Sequence, residues 1–171
     1  KIIEGLLKYV FKKTIDVDLP DFLRMDYSYA IDKYGCDKPD MRFEMLLNDV
    51  TDCLQNCGFK AYDGKTIIAL KVDDYADKVS RKHQDADNLL AKKYRVFGVS
   101  HLKYENGQFV SSIVKNINQE NLEKLAARLD VKDNDLLIIC ADSDATRAKS
   151  ALGALRLAYG KEMGLIDKNV Y

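Results

Sequence analysis

The chain has 171 residues, 47% of them hydrophobic, and its 27 basic residues balance 27 acidic ones. This composition supports one medium domain with structured flanks and a sizeable core. The zero formal charge speaks against a stand-alone nucleic-acid binder that relies on bulk phosphate neutralisation, while leaving room for a weak, oriented contact.

Hydrophobic spacing places the elements in order. Ile3, Leu6, Leu7 and Val10 recur at helical intervals, so the opening segment reads as an amphipathic helix. Asp18-Leu19-Pro20 lies beyond its end in an extended connection. Asp26 caps a short second helix with Ala30, Ile31 and Tyr34 inward, and Gly35 supplies a left-handed stop. Val50, Cys53, Leu54 and Cys57 form one helical face ending at Gly58. Residues 59–62, the Asp63-Gly64 turn and residues 66–72 read as a β-hairpin. Ser80 caps a long helix running to about Tyr94. Residues 97–104 and 108–114 read as a second hairpin around Asn106-Gly107. Asn118 caps a helix bearing Leu122, Leu125, Ala126 and Leu129. Leu136 to Cys140 is a continuous apolar run, which fits a buried strand. A long final helix carries Ala148, Ala151, Leu152, Leu155, Tyr159 and Met163. The core order β-β-α-β-β-α predicts an α+β fold. We expect a two-layer sandwich with a mainly antiparallel sheet, helices on one face and additional flanking helices.

The chemistry-bearing residues are sparse. Cys36, Cys53, Cys57 and Cys140 include no C-x-x-C pair, and the histidines lie far from them. Reduced thiols are the simpler reading, with Cys53 and Cys57 as small core hydrophobes and no metal site. There is no phosphate-binding G-x-x-x-x-G-K-[ST] loop, no G-x-G-x-x-G, no G-x-S-x-G and no H-E-x-x-H. No catalytic constellation assembles. His83 reads as a half-buried packing residue rather than a base or ligand, and His101 carries no more weight. Arg81, Lys82, Lys92, Lys93 and Arg95 make one helix basic. Arg81 and Lys92 share nearly one azimuth, a ridge that can follow a phosphate backbone. Asp85 lies four residues after Arg81, so a solvated, partly neutralised face also fits. Asp37, Lys38, Pro39, Asp40 and Arg42 form a polar, proline-stiffened segment that is either a solvated turn or a domain junction. No apolar run approaches the ~18 residues of a membrane span. Lys1-Ile2-Ile3-Glu4 carries no initiator Met or signal-peptide core, so the chain is expected to be part of a longer one.

Several segments, in order, resemble bacterial-type aspartyl-tRNA synthetases. Leu23 to Tyr27 resembles F-P-R-M-T-Y, and Tyr34 to Arg42 resembles Y-G-S-D-K-P-D-L-R. Asp49-Val50-Thr51-Asp52 with Gly58-Phe59-Lys60 resembles D-V-T-D and G-F-K. Ser80 to Asp85 resembles S-R-K-Q-I-D, and Ala91 to Gly98 resembles A-K-K-Y-G-A-K-G. Gly153 to Leu157, then Gly160-Lys161 and Gly164-Leu165, resembles G-A-L-R-L with G-K and G-L. Cys36 stands for serine, His83 and Gln84 for glutamine and isoleucine, Arg95 for a glycine and Ser100 for alanine. The glycine replaced by Arg95 puts a left-handed backbone there in doubt.

The resemblance implies an inserted, GAD/DCoH-like unit within a class II ligase. Residues 1–45 would belong to the catalytic module, 46–145 to the GAD insertion, and 146–171 to an exit helix and return linker. It implies a cytoplasmic, homodimeric parent that attaches aspartate to tRNA(Asp) with ATP and magnesium. This segment would hold no catalytic residue and no cofactor. Arg81, Lys82, Lys92 and Lys93 become candidates for contact near the tRNA acceptor end, and Asp37, Lys38, Pro39, Asp40 and Arg42 the junction with the rest of the synthetase. A GAD-type domain of a tRNA-dependent amidotransferase B subunit, or an independent binding module, remains the alternative. An excised segment further implies that residues before about Met45 pack poorly and expose apolar faces.

Overall fold

The computed structural model describes residues 1–167. Among the described residues there are six α-helices and five strands. They are α1 (Ile2–Ile15), α2 (Tyr27–Tyr34), β1 (Leu47–Asp49), α3 (Thr51–Leu54) and β2 (Thr66–Val72). Then come α4 (Arg81–Lys92), β3 (Ser100–Glu105), β4 (Gln108–Val110), α5 (Gln119–Arg128), β5 (Leu136–Asp142) and α6 (Ala145–Glu162). The strands form one sheet in the order β1-β2-β5-β3-β4, with every neighbouring pair antiparallel. The class is therefore α+β, as the pattern predicts.

β2 and β5 hold the centre, pairing from Thr66 with Asp142 to Val72 with Leu136. Their apolar runs are continuous because both faces are covered. On one face Ile68, Leu70, Ile138 and Cys140 meet Ala148, Ala151, Leu152 and Leu155 of α6, with Ala91 of α4. On the other, Ile67, Ala69, Leu137 and Ile139 meet Cys53 and Leu54 of α3 and Leu122 and Leu125 of α5. The expected single helical face is thus corrected: α4 and α6 cover one side of the sheet and α3 and α5 the other, because β2 and β5 are apolar on both faces. All four cysteines are free thiols, and Cys53, Cys57 and Cys140 are buried. Among the described residues no helix is long and apolar enough to cross a membrane.

Local signals held where the chemistry was specific. Gly35 ends α2 at φ 73. Asn106 and Gly107 both take positive φ between β3 and β4, as a tight two-residue hairpin requires. Ser80 caps α4, and His83 completes the capping box from the third helical position. Arg95 takes φ 64, so the left-handed turn after α4 survives without a glycine.

The first predicted hairpin does not form. Residues 60–62 are a 3₁₀ turn, and Phe59 packs edge-on against Tyr62 with ring centroids 4.9 Å apart. Asp63 (φ −62, ψ 131) and Gly64 (φ 67) follow a type II pattern, closed by Lys65 N donating to the Tyr62 carbonyl. That turn lacks the twist that keeps strands paired, so β2 takes β1 and β5 as neighbours instead. The helix read over Val50–Cys57 shortens to Thr51–Leu54, and the second hairpin's strands are shorter than predicted.

The flank before Met45 divides in two. No residue of α1 is buried, and Ile2, Ile3, Leu6 and Val10 stay exposed. Surface pairs Lys8–Asp21, Lys12–Asp18 and Arg24–Glu4 tie α1 to the following segment. Poor packing, as expected, describes α1. It does not describe residues 26–45, because Ala30, Gly35 and Phe43 are buried. The last residues of the predicted return linker, 168–171, lie outside the described residues.

Candidate functional site

α4 carries the cations singled out by sequence. Arg81, Lys82, Lys92 and Lys93 are all exposed. Arg81 opens the helix and Lys92 closes it, roughly 16 Å apart along the axis. The helix buries the opposite side, with Asp87 and Ala91 inside.

Two open depressions flank α4 and meet at Asn88. Asn88 Oδ1 accepts from Val99 N at 2.9 Å, and its side-chain amide donates to the Gln84 carbonyl at 2.9 Å. Gly98 makes this approach possible, since a Cβ there would lie 2.5 Å from Asn88 Oδ1. The depression on the Arg81 side has mixed charge, with Lys103, Asp85 and Glu105 also on its wall. The other holds about 590 Å³ and is walled by Lys65, Lys92, Arg95, Phe97 and Tyr62. Among the described residues no carboxylate lines it. Arg95 turns the chain left-handed, Val96 then enters the core, and the next side chain, Phe97, points out at 94% exposure.

Beneath α4 lies a polar chain that the sequence did not announce. Asp87 Oδ2 sits 2.8 Å from His101 Nε2 and accepts the Tyr159 hydroxyl at 2.7 Å. All three residues are buried. Tyr159 packs edge-on against Tyr75 with centroids 5.3 Å apart, and Tyr75 donates to Glu162 Oε1 at 2.6 Å. Burial, reinforced by Glu162, pushes the Tyr75 hydroxyl up to about 12, and burial with Asp87 raises Tyr159 further. These phenols hold their protons, and the hydrogen bonds of the cluster tie α4, β3 and α6 together. His83 is not buried within it. It caps α4 and lies 3.4 Å from Glu162.

Asp37, Lys38, Asp40 and Arg42 line a groove between α2 and α6. Asp37 and Lys38 are exposed, while Pro39 and Asp40 are half-buried. Arg42 grips Asp40 in a bidentate pair, Nε to Oδ1 at 2.9 Å and Nη2 to Oδ2 at 2.7 Å. These bonds hold the Asp40 carboxyl at about 2, below the usual carboxylate range. The deeper anchor is Arg156, which is 2% exposed. It donates to the carbonyls of Met45 at 2.9 Å, Phe43 at 2.8 Å and Glu44 at 3.3 Å. Its guanidinium also stacks over Phe43 and Tyr34. Met45 sits at φ 89, an uncommon conformation for a side-chain-bearing residue, and Arg156 binds the carbonyl it presents.

Among the described residues no group of three or more His, Cys, Asp or Glu is placed to hold a metal ion.

Residues 59–152, more than half of the chain, match the GAD domain. The chain belongs to the GAD domain family. Curated proteins named Aspartate--tRNA ligase are similar to it beyond that segment on both sides. The protein from Streptococcus suis (strain 98HAH33) is 40% identical over 173 residues, 99% of this chain and 29% of its own length. The protein from Lactococcus lactis subsp. lactis (strain IL1403) is 42% identical over 167 residues, 96% of this chain and 28% of its own length. This GAD domain chain thus spans less than a third of those relatives. A solved structure of a hypothetical protein from Pyrococcus horikoshii OT3 is similar at TM-score 0.46 and 21% identity, covering 58% of this chain and 53% of that one.

The GAD domain segment holds the α4 cations, both depressions, Asp87 and His101. Arg156, Tyr159 and residues 37–42 lie outside it. Sequence reading found that the α4 cations are exposed. It missed the buried Arg156, whose only signal was its place in Gly153-Ala154-Leu155-Arg156-Leu157. It also missed the pairing of Asp87 with His101, for which no spacing gives a sign.

Proposed function

We propose that this GAD domain is an accessory insertion of an aspartate–tRNA ligase and that it steadies the acceptor region of tRNA(Asp) through the basic face of α4. The supporting observation is the similarity to ligases of that name, which runs through both flanks and not only residues 59–152. The parent enzyme joins aspartate to tRNA, using ATP and magnesium bound by parts of the enzyme outside this chain. It works as a homodimer in the cytoplasm. The 171-residue chain by itself is inactive.

Arg81, Lys82, Lys92 and Lys93 supply sequence-independent contacts to the sugar-phosphate backbone. Four such cations suit a weak positioning contact in a chain of zero net charge. Asp37, Lys38, Pro39, Asp40 and Arg42 form the junction with the catalytic module. The test is the triple variant Arg81→Glu, Lys82→Glu, Lys92→Glu in the full-length enzyme. We expect a raised tRNA KM, little change in aspartate and ATP KM, and a shallower salt dependence, by about 0.9 in log–log slope per lost contact. An unchanged tRNA KM and slope removes the contact. Formation of aspartyl-adenylate by this chain alone contradicts its accessory role.

A further inference from the structure

We infer that the depression beside the end of α4 is a seat for an unpaired RNA nucleotide, with Phe97 as the stacking surface and Lys65, Lys92 and Arg95 as its phosphate contacts. This inference rests on the RNA-contact reading above and narrows it from a charged helix to a defined site. The helix ridge would grip backbone of any geometry. The depression selects single-stranded RNA.

Three independent features meet there. First, Phe97 is 94% exposed, although it follows buried Val96 and is set by the left-handed turn at Arg95 and the close approach of Gly98 to Asn88. A large aromatic ring held out by a defined backbone presents a flat face to a partner with its own π-surface. Second, among the described residues three cations line the wall and no carboxylate does. Among the described residues, Lys65, Lys92 and Arg95 form none of the ion pairs found elsewhere on this surface. The neighbouring depression, by contrast, is charge-balanced. Third, the volume of about 590 Å³ lies within the range of roughly 300–1,000 Å³ found for small-ligand sites.

A duplex does not use these features. Its bases are already stacked, so an exposed ring gains little from them. Charge and aromatic surface together favour a strand whose bases are free.

The experiment measures fluorescence anisotropy on the full-length protein. The probes are a fluorescein-labelled 12-nucleotide single-stranded RNA and a blunt RNA hairpin with the same number of phosphates. Phe97 lies outside the core, so Phe97→Ala leaves the fold intact and is checked by thermal melting. We expect Phe97→Ala to weaken single-strand binding about tenfold, Phe97→Trp to preserve it, and hairpin binding to stay as in wild type. Lys92→Gln with Arg95→Gln should flatten the single-strand salt slope by about 0.7 per contact, whereas Phe97→Ala should leave that slope alone. Equal binding of both probes, or no effect of Phe97→Ala, overturns the inference. If Phe97→Ala is silent while the α4 triple variant still raises tRNA KM, the seat fails and the helix contact stands. If both are silent, both fail.

Discussion

The guanidinium of Arg156 lies 4.0 Å from the centre of the Phe43 ring and donates to the Phe43 carbonyl at 2.8 Å. One side chain of α6 thus grips both the ring and the backbone of the segment leading into β1. The same group bonds the next two carbonyls and stacks on Tyr34. Hydrogen bonds involving a charged group are worth about 1.5–3 kcal/mol, and a desolvated cation–π contact adds about 0.5–2 kcal/mol. Arg156→Met should therefore destabilise the chain by about 3 kcal/mol in urea unfolding. Arg156→Lys should recover only part of this, because lysine has no planar fork. Hydrogen exchange of α2 amides should quicken in both variants. Unchanged protection of Ala30 to Gly35 would contradict the anchor.

Gly153 tests the same seam from the other side. In an exposed helix interior, Gly→Ala gains about 1 kcal/mol from propensity. Here the added Cβ would lie 2.6 Å from the Tyr34 carbonyl oxygen and 2.9 Å from Gly35 Cα. Both are backbone atoms, so α2 must move. Gly153→Ala should lower stability by about 1–3 kcal/mol, and a higher melting temperature would refute the close contact.

The Asp87 carboxylate joins His101 and Tyr159. Tyr159→Phe removes one partner from a buried acceptor and should cost about 1–3 kcal/mol. Asp87→Asn should cost a similar amount. Since the two changes break one shared bond, the double variant should lose about 1 kcal/mol less than their sum. Additive losses would show that the triad is not a unit.

Asp40 gives a pH dependence of defined sign. Its folded pKa of about 2 lies below the ordinary carboxylate value, and the Arg42 hydrogen bonds are the main cause. A depressed acid stabilises the fold above its unfolded pKa and loses that contribution as pH falls through the folded one. The Asp40 share of stability should therefore be complete above about pH 5 and be lost progressively down to about pH 1. Asp40→Asn should flatten that part of the acid profile. A carboxyl titration midpoint near 4, read by NMR, would be inconsistent with the pair.

Long periodic segments were legible because burial repeats along them. α4, α5, α6 and β5 each show their inner face in sequence, and Asn106-Gly107 fixes its turn through positive φ at both residues. Asp63-Gly64 misled because the same pair suits a type II turn, and edge-on packing of Phe59 with Tyr62 decides between the two. β1 is hidden because three residues carry too little pattern, and its partner β2 lies 17 or more residues further along the chain. Arg95 shows the limit of reading a substitution. A glycine preference was lost, yet the turn remains because Val96 is drawn into the core.

The sequence by itself determined the α+β class, the helix faces, the exposed α4 cations and the resemblance to a synthetase insertion. These depend on local period and on motifs that survive in order. Tertiary structure alone decided the strand order, the polar triad beneath α4, the Arg156 anchor and the cationic wall around Phe97. Each of these joins residues far apart in the chain, and nothing in local spacing tells a side chain which distant partner it will meet.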